Sequence, residues 1–115
     1  MFSGKCILAP MVRVGRLPFR LTCLQYGADI VYAEEVIAQR LLKSTKVIND
    51  TLGTIDFYDE DGGICFRTSH VESRKVMFQM GVSDPQVAVD AAKIIEPYVA
   101  GMFISIILGG EGDAL

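Results

Sequence analysis

Tyr26-Gly27-Ala28-Asp29-Ile30-Val31-Tyr32-Ala33-Glu34-Glu35 is the stretch whose reading decides the fold. Gly27 is placed to end a helix in the left-handed conformation. Ala28 to Ala33, with Ile30, Val31 and Tyr32 in sequence, then reads as a buried strand, and two carboxylates follow at its C-terminal end. Upstream, Leu17 to Tyr26 reads as a helix: Pro18 suits its first turn, and Leu17, Leu21 and Leu24 are spaced for one apolar face. Arg13 to Arg16 is a polar loop with Gly15. Cys6 to Ala9, closed by Pro10, is short enough for another buried strand.

Downstream, Val36 to Leu42 reads as a helix leading into a loop rich in Lys, Ser and Asn. Ile64 to Thr68 and Val76 to Met80 are β-rich runs, and the polar link Ser69 to Lys75 suggests a hairpin-like connection between them. Ser83-Asp84-Pro85 opens a further helix, with Asp84 as cap and Val87, Ala88, Ala91, Ala92 and Ile95 on one face. Met102 to Leu108 is a last apolar strand before a Gly-rich end. The pattern predicts strands near 6–9, 29–33, 76–80 and 102–107, an extra hairpin strand near 64–68, and helices near 17–26, 36–43 and 85–97. This alternation argues for parallel βα units covered on both sheet faces, in which chemistry gathers at the C-terminal strand ends. Pro10-Met11, Glu34-Glu35 and Gln79-Met80-Gly81 occupy those ends.

Composition sets outer limits. The 115 residues allow one small domain; 50% apolar and 22% charged residues suit a globular core. Eleven basic and fourteen acidic residues leave −3, so no global basic field holds nucleic-acid phosphate, and an RNA contact needs a local patch or another domain. Cys6, Cys23 and Cys65 are widely spaced and odd in number, which excludes a closed disulfide framework and a Cys/His zinc pattern and predicts reduced, buried thiols. The N-terminus lacks the pattern of a secretory signal, and no apolar run reaches membrane-spanning length. The expectation is a cytoplasmic protein with no membrane or metal partner.

Three strings are specific enough to resemble a known family: Ala9-Pro10-Met11-Val12-Arg13-Val14-Gly15 with Leu17-Pro18-Phe19-Arg20, then Tyr26 to Glu35, then Val76-Met77-Phe78-Gln79-Met80-Gly81 with Ser83-Asp84. In order and length they resemble the N-terminal part of the tRNA-dihydrouridine synthases, nearest the eukaryotic type 2 enzymes, over roughly residues 5 to 101. The resemblance implies an FMN-binding (β/α)8 (TIM) barrel, of which residues 1–115 would form roughly the first half. The family has a helical domain behind the barrel and reduces the uracil C5–C6 bond in tRNA, with NADPH recharging the flavin. It further implies that Pro10, Met11 and Val12 line the isoalloxazine ring, and that Gln79 meets the flavin pyrimidine edge, where a carboxamide can both donate and accept. A satisfied core Gln is the plainer reading of Gln79. Glu35 matches a carboxylate facing the barrel mouth, towards substrate or flavin. Glu34 is expected to face away, because successive strand side chains alternate. Arg13 and Arg16 read equally as solvated loop residues or phosphate contacts, and His70 as an ordinary surface residue.

One departure bears on activity. After its fourth strand the family carries an Asp-x-Asn-x-Gly-Cys-Pro string whose Cys protonates the uracil. Here Phe103 stands in place of the Asp and Ser105 in place of the Asn, with no Cys or Pro following before Gly109-Gly110-Glu111-Gly112. The active-site loop reads as excised, and no family catalytic residue remains. Three functions therefore compete: a truncated FMN- and NADPH-dependent tRNA-dihydrouridine synthase, inactive by itself; a non-catalytic remnant or interaction fragment; and another FMN-dependent barrel oxidoreductase. Unpaired strand edges in such a fragment invite self-association.

Overall fold

The computed structural model describes residues 4–10 and 15–106 of the chain. Its elements run β1 (Ile7–Leu8), α1 (Leu17–Gln25), β2 (Ile30–Ile37), α2 (Ala38–Leu42), β3 (Thr45–Asn49), β4 (Thr54–Tyr58), β5 (Ile64–Ser69), β6 (Val76–Val82), α3 (Pro85–Ile95) and β7 (Gly101–Ile106). Short 3-10 turns at His70–Glu72 and Glu96–Tyr98 lead towards β6 and β7.

Four strands, β1-β2-β6-β7, form one sheet in which each neighbouring pair is parallel. Their order follows the chain, with α1 between β1 and β2 and α3 between β6 and β7, which is the architecture of a partial (β/α)8 barrel. The helix ends obey local chemistry. Gly27 takes φ 108°, and Gly27 N donates to Leu24 O and Ala28 N to Cys23 O, the bonding that closes a helix through a left-handed residue. Asp84 accepts from Gln86 N at 2.8 Å, ahead of Pro85.

The outward side of the parallel sheet carries Val31, Ala33, Val36, Val76, Phe78, Met80 and Val82. These pack with Leu41 of α2 and Ala91 and Ile95 of α3 into the core. Where the sequence reading has a loop rich in Lys, Ser and Asn after Leu42, and no strand before Ile64, the chain forms β3 and β4, which join β5 in a three-stranded antiparallel sheet. That sheet docks on the same side through aromatic edges: Phe66 meets Phe78 at 4.9 Å between ring centroids in a T-shaped contact, and Phe57 meets Phe66 at 6.2 Å.

Three expectations are corrected. The Ile64 to Thr68 run does not form a hairpin with Val76 to Met80; it pairs with β4, because both edges of β6 are already occupied by β2 and β7. The helix expected from Val36 begins at Ala38, because Val36 and Ile37 are held in register with Met80 and Gly81. The thiols are not uniformly buried: Cys6 is exposed, and Cys23 and Cys65 are half-buried.

One buried ion pair fastens the two sheets together. Arg20 of α1 is 2% exposed and Glu72, just before β6, is 0% exposed. Arg20 Nε donates to Glu72 Oε1 at 2.8 Å and Nη2 to Glu72 Oε2 at 2.7 Å. Two of its other three N–H groups reach Gly15 O at 2.5 Å and Arg67 O at 2.8 Å, and Thr68 Oγ1 donates to Glu72 Oε2. Each charge thus has several hydrogen-bonding partners, the condition under which a buried pair is tolerated. Replacing Arg20 by Met strands the Glu72 carboxylate and is expected to cost about 3–5 kcal/mol in urea unfolding. The Arg20→Met/Glu72→Leu double variant should regain most of that loss. A single-variant loss below about 1 kcal/mol, the range of exposed pairs, contradicts this account.

Candidate functional site

In a parallel ladder, register partners carry their side chains on the same face. Tyr32 pairs with Met77, and Glu35 pairs with Gln79. Gln79 in turn pairs with Phe103, Met77 with Gly101 and Gly81 with Ser105. The face opposite the helices therefore carries successive cross-strand rows: Tyr32, Met77 and Gly101; then Glu35, Gln79 and Phe103; then Ile37, Gly81 and Ser105. Gly101 gives Met77 room in the first row: a Cβ there would lie 3.0 Å from Met77 Sδ, and the thioether would have to shift. The second row crosses the sheet inside its strands: Glu35 is in the C-terminal half of β2, but Gln79 is at the centre of β6, because that strand runs on to Val82 instead of ending at Met80 as expected. Glu35 is exposed, Gln79 half-buried and Phe103 53% exposed.

Strict alternation from Tyr32 would bring Glu34, not Glu35, onto this face. A bulge changes the outcome: between the Tyr32–Met77 and Glu35–Gln79 pairs, β2 has Ala33 and Glu34 where β6 has Phe78 alone. The bulge leaves Ala33, 1% exposed, with a main-chain carbonyl outside the ladder register. Gln79 Nε2 donates to it at 3.0 Å. Half of the core-Gln reading is thereby realised: the amide nitrogen serves the backbone. Glu34 lies 3.7 Å from Arg16 Nε, so the loop Arg16 is engaged with a carboxylate.

Pro10 is exposed, two residues beyond β1. Met11, Val12 and Arg13 lie outside the described residues, so the expected convergence of Met11 with Glu35 and Gln79 is described only for the latter two. His70 is exposed. None of the three Cys residues stands in the rows.

A cavity of about 480 Å³ opens behind this face, between the start of α1, the end of β2 and β5. Of the row residues it touches only Glu35; its walls include Arg16, Arg20, Arg40, Cys65 and Arg67. These guanidiniums were not singled out in the sequence as a group, because their partners are distant: Arg20 bonds Glu72, Arg40 bonds Asp59, and Arg67 bonds Asp56. Burial pushes the Cys65 thiol up, so it stays protonated at neutral pH. The Arg40 guanidinium holds Asp59 below the usual carboxylate range. Among the described residues no cluster of three or more His, Cys, Asp or Glu is arranged to hold a metal ion, and no helix is long and apolar enough to cross a membrane.

The family model described as dihydrouridine synthase matches residues 7–104. The chain belongs to the dihydrouridine synthase family. Its relatives in that family include the tRNA-dihydrouridine(20) synthase [NAD(P)+] of Schizosaccharomyces pombe, 41% identical over 88% of this chain and 22% of that protein. The Saccharomyces cerevisiae protein of the same name is 37% identical over 99% of this chain and 33% of its own length. The tRNA-dihydrouridine(20a/20b) synthase [NAD(P)+] of S. pombe is 32% identical over 86% of this chain and 26% of that protein. The chain thus spans between about a fifth and a third of the length of these oxidoreductase relatives.

Asp56 supplies a test of the wall. It is fully buried and accepts from Arg67 Nε and Nη2, Thr54 Oγ1 and Asn49 Nδ2. The Arg67 bonds hold its carboxyl down at about 2, against the ordinary 3.8. A depressed carboxyl stabilises the folded state above its unfolded pKa, and that contribution is lost as pH falls through the folded value. Stability should therefore decline from about pH 4 to about pH 2, and Asp56→Asn should flatten that part of the profile. Parallel pH profiles for both proteins in urea unfolding would contradict the assignment.

Proposed function

We propose that this dihydrouridine synthase chain carries the flavin-side βα units of an enzyme that reduces uridine to 5,6-dihydrouridine in tRNA, with FMN as cofactor and NADPH as reductant. The observation that carries the reading is the Glu35–Gln79 register pair on the helix-free face of the parallel sheet, with Glu35 in the C-terminal half of β2, the half towards which such folds build their sites. The tRNA-dihydrouridine synthase names of the relatives support the substrate class.

The residues present fit the ring end of the cofactor. Among the described residues no hydrogen bond is made to Gln79 Oε1, and one Nε2 proton remains beyond the bond to Ala33, so the carboxamide can both accept and donate towards a pyrimidine edge. In this reading Gln79 orients that edge, Pro10, Met11 and Val12 flank the ring, and Glu35 faces the substrate. FMN, when bound, supplies the electrons for C5–C6 reduction. Recognition of tRNA draws on surfaces beyond this net-acidic chain.

Residues 1–115 alone are proposed to be inactive. No Cys follows the Phe103 and Ser105 positions, and loss of a positioned acid lowers a rate by about 10²–10⁴. The alignment with the S. cerevisiae protein runs over 128 positions, more than the 115 residues of this chain, so that relative holds additional residues inside the matched region. The second reading, a non-catalytic interaction fragment, is favoured by Phe103, an exposed ring set beside Gln79. Ile104 and Ile106 are exposed on the same outermost strand, an edge suited to self-association.

The chain of residues 1–115, purified and assayed for flavin absorbance, oligomeric state and dihydrouridine formation in tRNA with added FMN and NADPH, is expected to be colourless, self-associating and inactive. A yellow, monomeric, active preparation overturns the inactivity and self-association proposals.

A further inference from the structure

We infer that the β2 bulge is a positioning device, in which the Ala33 carbonyl fixes the orientation of the Gln79 carboxamide and so sets which hydrogen-bonding polarity the site offers a ligand. The inference rests on the flavin-site reading above and deepens it.

Three observations converge. The bulge places two β2 residues, Ala33 and Glu34, against one on β6, and a bulge leaves a main-chain group outside the ladder. Ala33 is buried, so its carbonyl needs a partner. Gln79 Nε2 supplies one at 3.0 Å. Because a carbonyl oxygen only accepts, this contact also settles which end of the Gln79 amide is nitrogen, a choice that usually rests on the network alone. An amide whose nitrogen is drawn towards Ala33 turns Oε1 the other way. An unanchored Gln could exchange its two ends; this one presents Oε1 as a fixed acceptor, with the second Nε2 proton beside it.

The partner such an acceptor selects is an imide N–H. Two molecules in the proposed reaction carry it: the flavin pyrimidine ring and the uracil ring. Methylating the imide nitrogen removes the donor and leaves the ring otherwise intact. The same bulge that presents the Ala33 carbonyl also brings Glu35 into register with Gln79, so one local irregularity orients one side chain and places the other.

The test uses the 15N-labelled chain and two measurements. First, the Gln79 side-chain amide is followed by NMR without ligand. One of its two protons should be shifted downfield and slowed in exchange, and deletion of Glu34 should abolish that signature. Gln79→Leu, which removes that amide pair, assigns the resonance, so the wild-type signature alone decides the lock should the deletion fail to fold. Second, FMN and N3-methyl-FMN, then uridine and 3-methyluridine, are titrated at millimolar concentration. The unmethylated member of one pair should bind about tenfold more tightly, the scale of one unmade hydrogen bond at a site that cannot re-orient, and Gln79→Leu, which removes the acceptor, should erase the ratio. The flavin pair showing the ratio names the cofactor as the source; the uridine pair names the substrate. Equal affinity within both pairs overturns the polarity claim. Two freely exchanging, equivalent Gln79 amide protons overturn the lock, whatever binds. A locked amide with no binding of any probe overturns the flavin-site reading and the ligand half of the inference, while the lock itself stands.

Discussion

The guanidinium of Arg20 is the point on which separate parts of the chain depend. A buried cation of this shape requires acceptors spread around a plane, and here they come from the loop before α1, from β5 and from the turn before β6: Gly15 O, Arg67 O and the Glu72 carboxylate. Arg20 and Glu72 are 52 residues apart in sequence. Because a charge left without its partner in the interior is costly, these segments are held to one arrangement. The antiparallel sheet is thereby fixed against α1 as well as against Phe78, and the parallel sheet gains a rigid flank at the C-terminal end of β2.

That rigidity matters because the candidate site is a matter of register. A single extra residue on β2 decides whether Glu34 or Glu35 shares a face with Gln79, and the shift moves a carboxylate from one side of the sheet to the other. In a flat, loosely held strand such a bulge would be free to slip. Here Val31 and Val36, on either side of it, and Ala33 within it are buried in the core, while the displaced carbonyl is met by Gln79. Packing on one face and a hydrogen bond on the other hold the irregularity in place, and the chemistry-bearing side chains follow from it.

The parts of this fold that announce themselves in sequence are the ones with local causes. Gly27 and the Asp84-Pro85 pair mark helix ends because their backbone preferences act within a few residues. The four parallel strands are legible as short apolar runs. Glu35 and Gln79 are legible as polar residues at the ends of such runs, although the alternation argument for Glu35 works only through a bulge that periodicity does not reveal. The second sheet is legible only in β5; β3, β4 and their pairing are hidden for a different reason. Thr54-Ile55-Asp56-Phe57-Tyr58 has β-forming residues, but its identity as a strand depends on Asp56 finding Arg67 and on Phe57 finding Phe66. Arg20 and Glu72 read in sequence as ordinary charged residues; only the tertiary structure makes them a buried pair. The assignment of Pro10, Met11 and Val12 rests on resemblance.

The central claim, that a shifted register brings Glu35 and Gln79 onto one face of a parallel sheet, is open to direct measurement. Cross-strand nuclear Overhauser contacts in the labelled chain report which side chains are neighbours. The account requires contacts between Tyr32 and Met77 and between Glu35 and Gln79, with the Gln79 side-chain amide near Ala33. Contacts from Gln79 to the Glu34 side chain, with none to Glu35, would mean an unbulged β2 and would contradict it.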